Sequence, residues 1–264
     1  MSDLREWHQV TLPSLGLYYG GACPDGVVEI TPWTTSQEER LVRTAGAGMA
    51  KVINQLIHES VRFPEGMTGD DLVIADQHYL LMKIRAISLV SSYTVDHKCP
   101  SCKVSSEITY DIDTLPVVTP EPETQDTFDV FLPRCGKTAT LRMLRVRDEK
   151  KIVEYRDQKR SIGMTDADSD IYVYSLARQV DKVNGEDLKF DEKKDFIRGL
   201  IMLDLSIIKQ ESEDREVGLD TEVKATCASC GHVDTWDLPI QVGFFRPKRA
   251  DLAAAVALAR SDRG

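Results

Sequence analysis

Two Cys-x-x-Cys pairs constrain the fold of this chain more than any other feature of its sequence. They are Cys99-Pro100-Ser101-Cys102 and Cys227-Ala228-Ser229-Cys230, with 124 residues between them. Two thiolates at this spacing in a tight turn can face one tetrahedral ion at about 2.3 Å, and two such turns supply a closed set of four ligands. The four cysteines therefore predict one structural Zn²⁺ per chain, shared by two distant parts of the sequence.

The sequence around the pairs favours a structural metal site over redox or catalytic chemistry. Residues typical of β-strands flank both pairs, whereas a redox Cys-x-x-Cys begins a helix, and no convincing helical pattern follows either pair. His97 and His232 lie nearby as substitute ligands, but the four cysteines already complete a tetrahedron. A catalytic zinc needs an open coordination position, and four thiolates leave none. Cys23 and Cys135 stand alone and are interpreted as ordinary half-buried cysteines.

A faint internal repeat ends at each cysteine pair. Each half begins with a β-like segment and a Leu-Pro step, Leu12-Pro13 or Leu132-Pro133, before a second β-like segment and an acidic helix start. Two helices are then predicted before each pair, over residues 49–60 and 70–89 in the first half and 169–180 and 192–210 in the second. We predict an α+β fold of two pseudo-repeated halves, each with short strands, a helix pair and a Cys-x-x-Cys knuckle hairpin, joined at the shared zinc site.

The predicted domain boundaries follow from this repeat. The N-terminal half with the first knuckle spans residues 1–118, and the C-terminal half with the second knuckle spans 128–247. Residues 119–127 form an acidic, Pro-rich linker, whose composition suits an extended and exposed chain. Residues 248–264 form a helical tail, either a frayed terminus or a segment that docks on another subunit.

Charge and hydropathy restrict the partners. Lys plus Arg total 33 and Asp plus Glu total 43, a formal net charge of −10, which argues against sequence-independent binding to nucleic acid or anionic lipid. No apolar run approaches the roughly 18 residues of a membrane helix. The first seven residues lack the apolar core of a secretion signal. We therefore expect a chain that stays in the cytosol where it is made and has no membrane partner.

The motif search indicates no enzyme. Cys135-Gly136-Lys137-Thr138 resembles the end of a phosphate-binding loop, but Phe131 stands where that loop needs its first glycine. The acids Asp166, Asp168 and Asp170 lack the glycine and glutamate of a calcium loop. No set of nucleophile, base and oxyanion donors assembles. We predict no catalytic residue, no cofactor besides zinc and no small-molecule substrate.

Two charged residues lie on apolar faces of the predicted long helices. An alignment of these helices places Arg85 and Asp204 at the same position. Either both are rim residues with their charges in solvent, or they form an ion pair between the two halves across a pseudo-twofold axis. The paired aromatics Phe244-Phe245 also leave two interpretations, a docking anchor for a partner or side chains packed under the last strand.

The order of several elements carries a family resemblance over about residues 10 to 247. These elements are Leu12-Pro13-Ser14-Leu15-Gly16-Leu17-Tyr18, Asp76 with Leu80-Leu81 and Arg85, the first cysteine pair, Asp204 ahead of Cys227-Ala228-Ser229-Cys230-Gly231, and Phe244-Phe245-Arg246-Pro247. In this order they resemble the T4-type bacteriophage baseplate hub and hub-assembly proteins. Lys103 departs from the pattern, since a glycine is expected after the first knuckle.

The resemblance implies a non-enzymatic phage tail protein that builds or forms part of the baseplate hub through contacts with other tail and baseplate proteins. Such a protein works in the host cytoplasm during assembly, and either remains in the virion or leaves as an assembly chaperone. The alternative is a zinc-ribbon binding or regulatory module that recognises another macromolecule. Lys98 and Lys103 flank the first knuckle, but Asp220, Glu222 and Asp234 flank the second, so nucleic acid is disfavoured as that macromolecule.

Overall fold

The computed structural model describes residues 6–44, 49–163, 167–239, 242–245, 248–253 and 256. Helices and small antiparallel sheets alternate along the chain, which confirms the predicted mixture of helix and strand. The strands are β1 (His8–Thr11), β2 (Val27–Ile30), β3 (Val61–Arg62), β4 (Ser92–Lys98), β5 (Ser105–Asp111), β6 (Val117–Val118), β7 (Thr127–Leu132), β8 (Lys137–Arg142), β9 (Val180–Val183), β10 (Gly218–Leu219), β11 (Glu222–Thr226) and β12 (Val233–Asp237). The α-helices are α1 (Thr35–Arg43), α2 (Met49–Ser60), α3 (Ile74–Ser88), α4 (Val146–Ser161), α5 (Ala167–Gln179), α6 (Phe190–Gly199) and α7 (Met202–Glu213).

Two three-stranded sheets have the same strand order. The first has the order β1-β2-β3 and the second β7-β8-β9, and every pair in them is antiparallel. Val10 pairs with Val28 in the first sheet, and Val130 pairs with Ala139 in the second. Alternate residues of β7 face the core, so Val130 is buried while Phe131 is exposed.

Two hairpins carry the cysteine pairs at their tips. β4 and β5 pair from Ser92 with Asp111 to Lys98 with Ser105, and β11 and β12 pair from Glu222 with Asp237 to Thr226 with Val233. These are the strands predicted on either side of each Cys-x-x-Cys. A short ladder between β6 and β10 also ties the segment after the first hairpin to the segment before the second.

Buried side chains form two core clusters. One contains the first sheet, α2 and α3, together with Val146, Val217, Val223 and Phe244 from later in the chain. The other lies between the second sheet and helices α5, α6 and α7, and includes Leu141, Ile197 and Ile208. Because the first cluster takes side chains from residue 146 onward, the later part of the chain completes the core around the first sheet, α2 and α3.

The prediction of one long helix over 192–210 is wrong. Leu200 and Ile201 are extended, with φ/ψ of −71/139° and −79/160°, and separate α6 from α7. Gly199 ends α6, and glycine is a weak helix former. In a continuous helix Leu203 would share an apolar stripe with Phe196, Leu200 and Ile207, but after the break it is 48% exposed. The earlier long helix also begins late, at Ile74, after a 3₁₀ turn over Gly69–Asp71.

Of the two alternatives for Arg85 and Asp204, the ion pair between them is wrong. The fully buried Arg85 guanidinium donates to the carbonyl oxygens of Phe244 and Val90 and lies 3.9 Å from the Asp251 carboxylate. Asp204 is equally buried but accepts from the amides of Arg134 and Cys135, at 3.0 and 2.9 Å. Neither is a solvated rim residue, because each side chain is buried and forms hydrogen bonds with backbone groups near it.

The C-terminal aromatics and the start of the tail pack on the body of the protein. Phe244 and Phe245 are buried and contact the rings of Tyr93 and Trp33, so they are core residues and not an exposed anchor. Helical residues 249–253 begin the predicted tail, where the buried Asp251 accepts from the Thr94 hydroxyl and from the Lys248 amide. Most of the predicted tail, including residues 257–264, lies outside the described residues.

Candidate metal centre

The two cysteine turns are closed by the same hydrogen bonds. The Cys99 amide donates to the Val104 carbonyl at 2.9 Å, and the Cys227 amide donates to the His232 carbonyl at 2.8 Å. Within each turn, the amide of the residue after the second cysteine donates to the carbonyl of the first cysteine, at 3.0 Å from Lys103 and 2.9 Å from Gly231. Each turn therefore holds its two thiols on the same side of the hairpin tip.

A left-handed residue closes each turn. Lys103 has φ of 64° and Gly231 has φ of 71°. Glycine adopts this conformation without a steric cost, whereas a residue with a Cβ is strained by about 1–2 kcal/mol. Lys103 thus takes the conformation for which a glycine was expected, and its ammonium donates to the Pro100 carbonyl at 2.7 Å.

The four thiols meet at one point. All four Sγ atoms lie within 4.8 Å of one another, with 3.8 Å between Cys99 and Cys230 and 3.6 Å between Cys102 and Cys227. Four bonds of about 2.3 Å to a tetrahedral ion place the sulfurs about 3.8 Å apart. The cluster therefore fits a single ion of the kind that four thiolates bind.

The thiols of this cluster do not ionise independently. Hydrogen bonds from the backbone amides of Cys230 and Ser229 lower the pKa of Cys227 to about 6, and amides of Cys102 and Ser101 lower the pKa of Cys99. At Cys102 a hydrogen bond with the Val104 backbone lowers the pKa, but desolvation and the three neighbouring thiols raise it to about 11. Four adjacent thiolates repel one another, so a cation bound among them would favour the ionised form of all four.

Side chains next to the cluster tie the two hairpins together. The His97 ring packs on the Trp236 ring at 4.9 Å between centroids, and its Nε2 lies 3.4 Å from the Asp234 carboxylate. The Trp236 indole donates to the Tyr110 hydroxyl, which donates to the Lys224 carbonyl, both at 3.3 Å. His97 is thus a packing residue between the hairpins, and the four-member cluster contains neither His97 nor His232.

Other candidates from the sequence lie elsewhere. Cys23 is buried, while Cys135 is exposed in the loop that Asp204 holds. Asp170 accepts hydrogen bonds from the Tyr155 hydroxyl and from Arg198, both at 2.5 Å. Asp166 lies outside the described residues.

Two buried aspartates were not recognised from the sequence as loop-holding residues. Asp76 accepts from the Ser14 amide at 3.0 Å and from the Tyr19 hydroxyl, while Asp204 accepts from the Arg134 amide. The two arrangements are the same. The Ser14 and Arg134 amides come directly after a Leu-Pro step, and both aspartates are the third residue of their helix. A signal was present, because each aspartate precedes the first cysteine of its pair by 23 positions (76 to 99 and 204 to 227).

The fold and the cluster define an α+β protein in which two Cys-x-x-Cys hairpins meet at one four-cysteine centre. A family model described as T4 bacteriophage base plate protein matches residues 18–246, most of the chain. The chain therefore belongs to the T4 bacteriophage base plate protein family. No curated protein matches it significantly, and neither does any solved structure. Among the described helices, none is long and apolar enough to cross a membrane.

Proposed function

We propose that this protein is a non-enzymatic component or assembly factor of the phage baseplate hub, which acts through contacts with other tail and baseplate proteins. One structural Zn²⁺, bound by Cys99, Cys102, Cys227 and Cys230, stabilises it. The observation that carries the proposal is the joining of two hairpins, 125 positions apart from Cys102 to Cys227, at one cluster in a chain of this family.

The choice of zinc rests on donor type and spacing. Four thiolates at tetrahedral distances suit Zn²⁺ or an iron–sulfur centre among the common metals, and the Cys-x-x-Cys hairpin tip is the geometry of structural zinc sites. The distances between Cys102 and Cys227 and between Cys99 and Cys230, 3.6 and 3.8 Å, agree with the ~3.8 Å of a single tetrahedral ion. Four protein ligands leave no position for water or substrate, so the proposed ion holds the fold and does no chemistry.

We also propose that the chain consists of two pseudo-repeated halves, residues 1–118 and 128–247, with a linker over 119–127. The matching sheet orders, the aspartates that hold the loop after Leu-Pro, and the hydrogen-bond pattern of the two turns support this proposal. Residues from Asp76 to Cys102 correspond to those from Asp204 to Cys230 with a constant difference of 128 positions. The ion then joins equivalent points of the two halves.

The proposed place of action is the host cytoplasm during tail assembly, followed either by incorporation into the virion tail or by release as a chaperone. Mass spectrometry of purified virions distinguishes the two. Peptides of this chain at a constant ratio to tail proteins indicate a resident component, and their presence only in assembly intermediates indicates a chaperone. Absence from both virions and intermediates would contradict the proposed role.

The metal is tested by elemental analysis of protein purified without added metal. We expect one zinc per chain, and we expect removal by a chelator to lower the melting temperature reversibly, because metal binding free energy contributes to folding. Cys227→Ser should lose the zinc, whereas Cys135→Ser, a matched change at an exposed cysteine outside the cluster, should keep it. A chain without metal that is equally stable would refute the shared site.

A further inference from the structure

The residues that lead into α3 are paired with the residues that lead into α4. Val73 and Arg145 form an isolated antiparallel bridge, in which the Ile74 amide donates to the Leu144 carbonyl at 3.2 Å and the Val146 amide donates to the Leu72 carbonyl at 2.9 Å. We name these segments the α3 lead-in (72–74) and the α4 lead-in (144–146). Their pairing buries Val73, which is 1% exposed.

Ion pairs extend this contact along the helix ends. The Asp70 carboxylate binds the Lys150 ammonium at 2.5 Å, and the Asp71 carboxylate binds the Arg147 guanidinium at 2.7 Å. The acidic side belongs to the turn before the α3 lead-in and the basic side to the first turns of α4. The contact between the lead-ins thus has an apolar centre and a charged margin.

The α7 lead-in (200–202) corresponds to the α3 lead-in, 128 positions earlier, and has the same backbone shape. Val73 has φ/ψ of −65/147° and Ile201 has −79/160°. Unlike Val73, however, Ile201 is 51% exposed, and Met202 and Leu203 are 84% and 48% exposed. Among the described residues, no backbone partner is found for the Met202 amide or the Leu200 carbonyl. These groups are the counterparts of the Ile74 amide and the Leu72 carbonyl, which are paired in the α3 lead-in.

The α1 lead-in (33–35) corresponds to the α4 lead-in and is also open. The helix caps Thr34 and Arg145 match in conformation, with φ/ψ of −89/162° and −111/163°. Thr34 and Thr35 are exposed, and within the described chain the Thr35 amide and the Trp33 carbonyl have no backbone partner. A cavity of about 220 Å³ lies beside this segment, lined in part by Trp33, Leu41 and Phe245.

The charges at the two open segments are complementary. Arg198 stands at the position equivalent to Asp70, and Glu39 at the position equivalent to Lys150, 111 residues earlier. Both are partly exposed, at 46% and 59% of their side chains, although Arg198 also contacts Asp170 and Glu39 contacts Arg43 within the chain. Of the two ion pairs at the margin of the existing contact, the one between Asp70 and Lys150 would therefore be re-formed with its signs exchanged, whereas the other has the uncharged Gly199 and Ser36 at the equivalent positions.

We propose that the α7 lead-in of one copy of this chain pairs with the α1 lead-in of a second copy. This pairing would repeat, between two molecules, the contact that the α3 and α4 lead-ins make within one molecule. Met202 would lie in the cavity beside Trp33, and Arg198 would face Glu39. Because the two surfaces differ, the contact is heterologous, and its repetition builds a ring or an open array. The occupant is a second copy because both unpaired segments lie on the same chain and match each other in hydrogen bonding and charge.

The test is the oligomeric state of the zinc-loaded chain, measured by sedimentation velocity from micromolar concentration to about 1 mM, a range that covers weak association. We expect the wild type to associate into multiples of 29.6 kDa as concentration rises. Met202→Asp places a charge on the α7 lead-in, and Thr35→Pro removes the amide of the α1 lead-in. Proline is tolerated at the first helical position after an extended residue, so Thr35→Pro should not disturb folding.

Each variant alone should sediment as a single chain, but an equimolar mixture should form a species of two chains and nothing larger, because each variant retains one intact surface. Ile162→Asp, an equally drastic change at an exposed residue of neither lead-in, should associate like the wild type. A wild type that stays monomeric up to about 1 mM overturns the proposal. Failure of the two variants to combine also overturns it, as does association that both single variants retain.

Discussion

The left-handed residue that closes each cysteine turn allows a matched test of backbone strain. At position 103 a lysine has φ of 64°, and at position 231 a glycine has φ of 71°, in turns with the same hydrogen bonds. We expect glycine to be more stable than alanine at both positions. The comparison of Lys103→Gly with Lys103→Ala removes the side-chain hydrogen bond to Pro100 from both variants, so only the backbone differs.

The magnitude follows from two opposing effects. A Cβ in the left-handed region costs about 1–2 kcal/mol in the folded state, whereas glycine lowers stability by about 0.4–1 kcal/mol through the entropy of the unfolded chain. The central values of the two effects, about 1.5 and 0.7 kcal/mol, differ by about 0.8 kcal/mol in favour of glycine. Within the described part of the chain, no atom lies within 4 Å of the position that a Cβ would occupy at Gly231, so Gly231→Ala should lose a similar amount with no clash added.

The assay is thermal unfolding of the zinc-loaded proteins, in which about 1 kcal/mol shifts the melting temperature by roughly 2–4 °C. Competition with a chelator provides a second measurement, because strain that is released when the turn opens on loss of the proposed ion lowers the affinity for zinc. The same free energy corresponds to a change in zinc affinity of up to about five-fold. If Lys103→Ala is as stable as Lys103→Gly, or if Gly231→Ala is harmless, the assignment of strain to these positions is refuted.

Three further predictions concern buried or tightly bound charges. Arg85→Met leaves the buried Asp251 carboxylate without its cation and should lower the free energy of unfolding by about 3 kcal/mol or more, measured by urea titration. The double variant with Asp251→Asn should recover part of this loss. Strictly additive effects of the two substitutions would contradict the coupling. The pKa of Asp170 is lowered to about 2, chiefly by the hydrogen bond from Tyr155. A carboxyl group with a lowered pKa contributes stability at pH values above its ordinary pKa of 3.8, and this stability is lost as the pH falls through 2. Asp170→Asn should therefore reduce the fall in melting temperature between pH 4 and pH 2. An unchanged slope of melting temperature against pH would count against this role. Asp204→Ala leaves two amides without an acceptor and should melt lower than Asp204→Asn, which keeps one acceptor oxygen; equal melting would show that these hydrogen bonds are unimportant.

The sequence best predicted the features that depend on residues close together in the chain. The spacing of each Cys-x-x-Cys and its β-forming neighbours predicted two hairpins and their meeting, because thiol pairs in tight turns have few other uses at this spacing. Helix α2 was predicted at its observed bounds, Met49–Ser60.

The sequence-based predictions failed where contacts between distant residues determine the structure. Residues 196, 200, 203 and 207 follow a helical period, yet the chain breaks at 200–201, and the buried Asp204 after the break reaches amides 70 and 69 positions away. Local periodicity carries no information about such a partner. The role of Arg85 was missed for the same reason, since its acceptor at Phe244 lies 159 positions away. The constant 23-position spacing from aspartate to cysteine, however, would have corrected the helix alignment from the sequence alone.

The wide separation of the two cysteine pairs also sets an order of events during synthesis. Cys102 precedes Cys227 by 125 positions, and ribosomes add about 5–20 residues per second, so the first pair is made roughly 6–25 s before the second. During that interval the nascent chain offers two thiols and an incomplete binding site. Binding of the proposed ion by all four cysteines would therefore follow translation of the second hairpin, and a loaded cluster would mark a chain whose synthesis has passed residue 230.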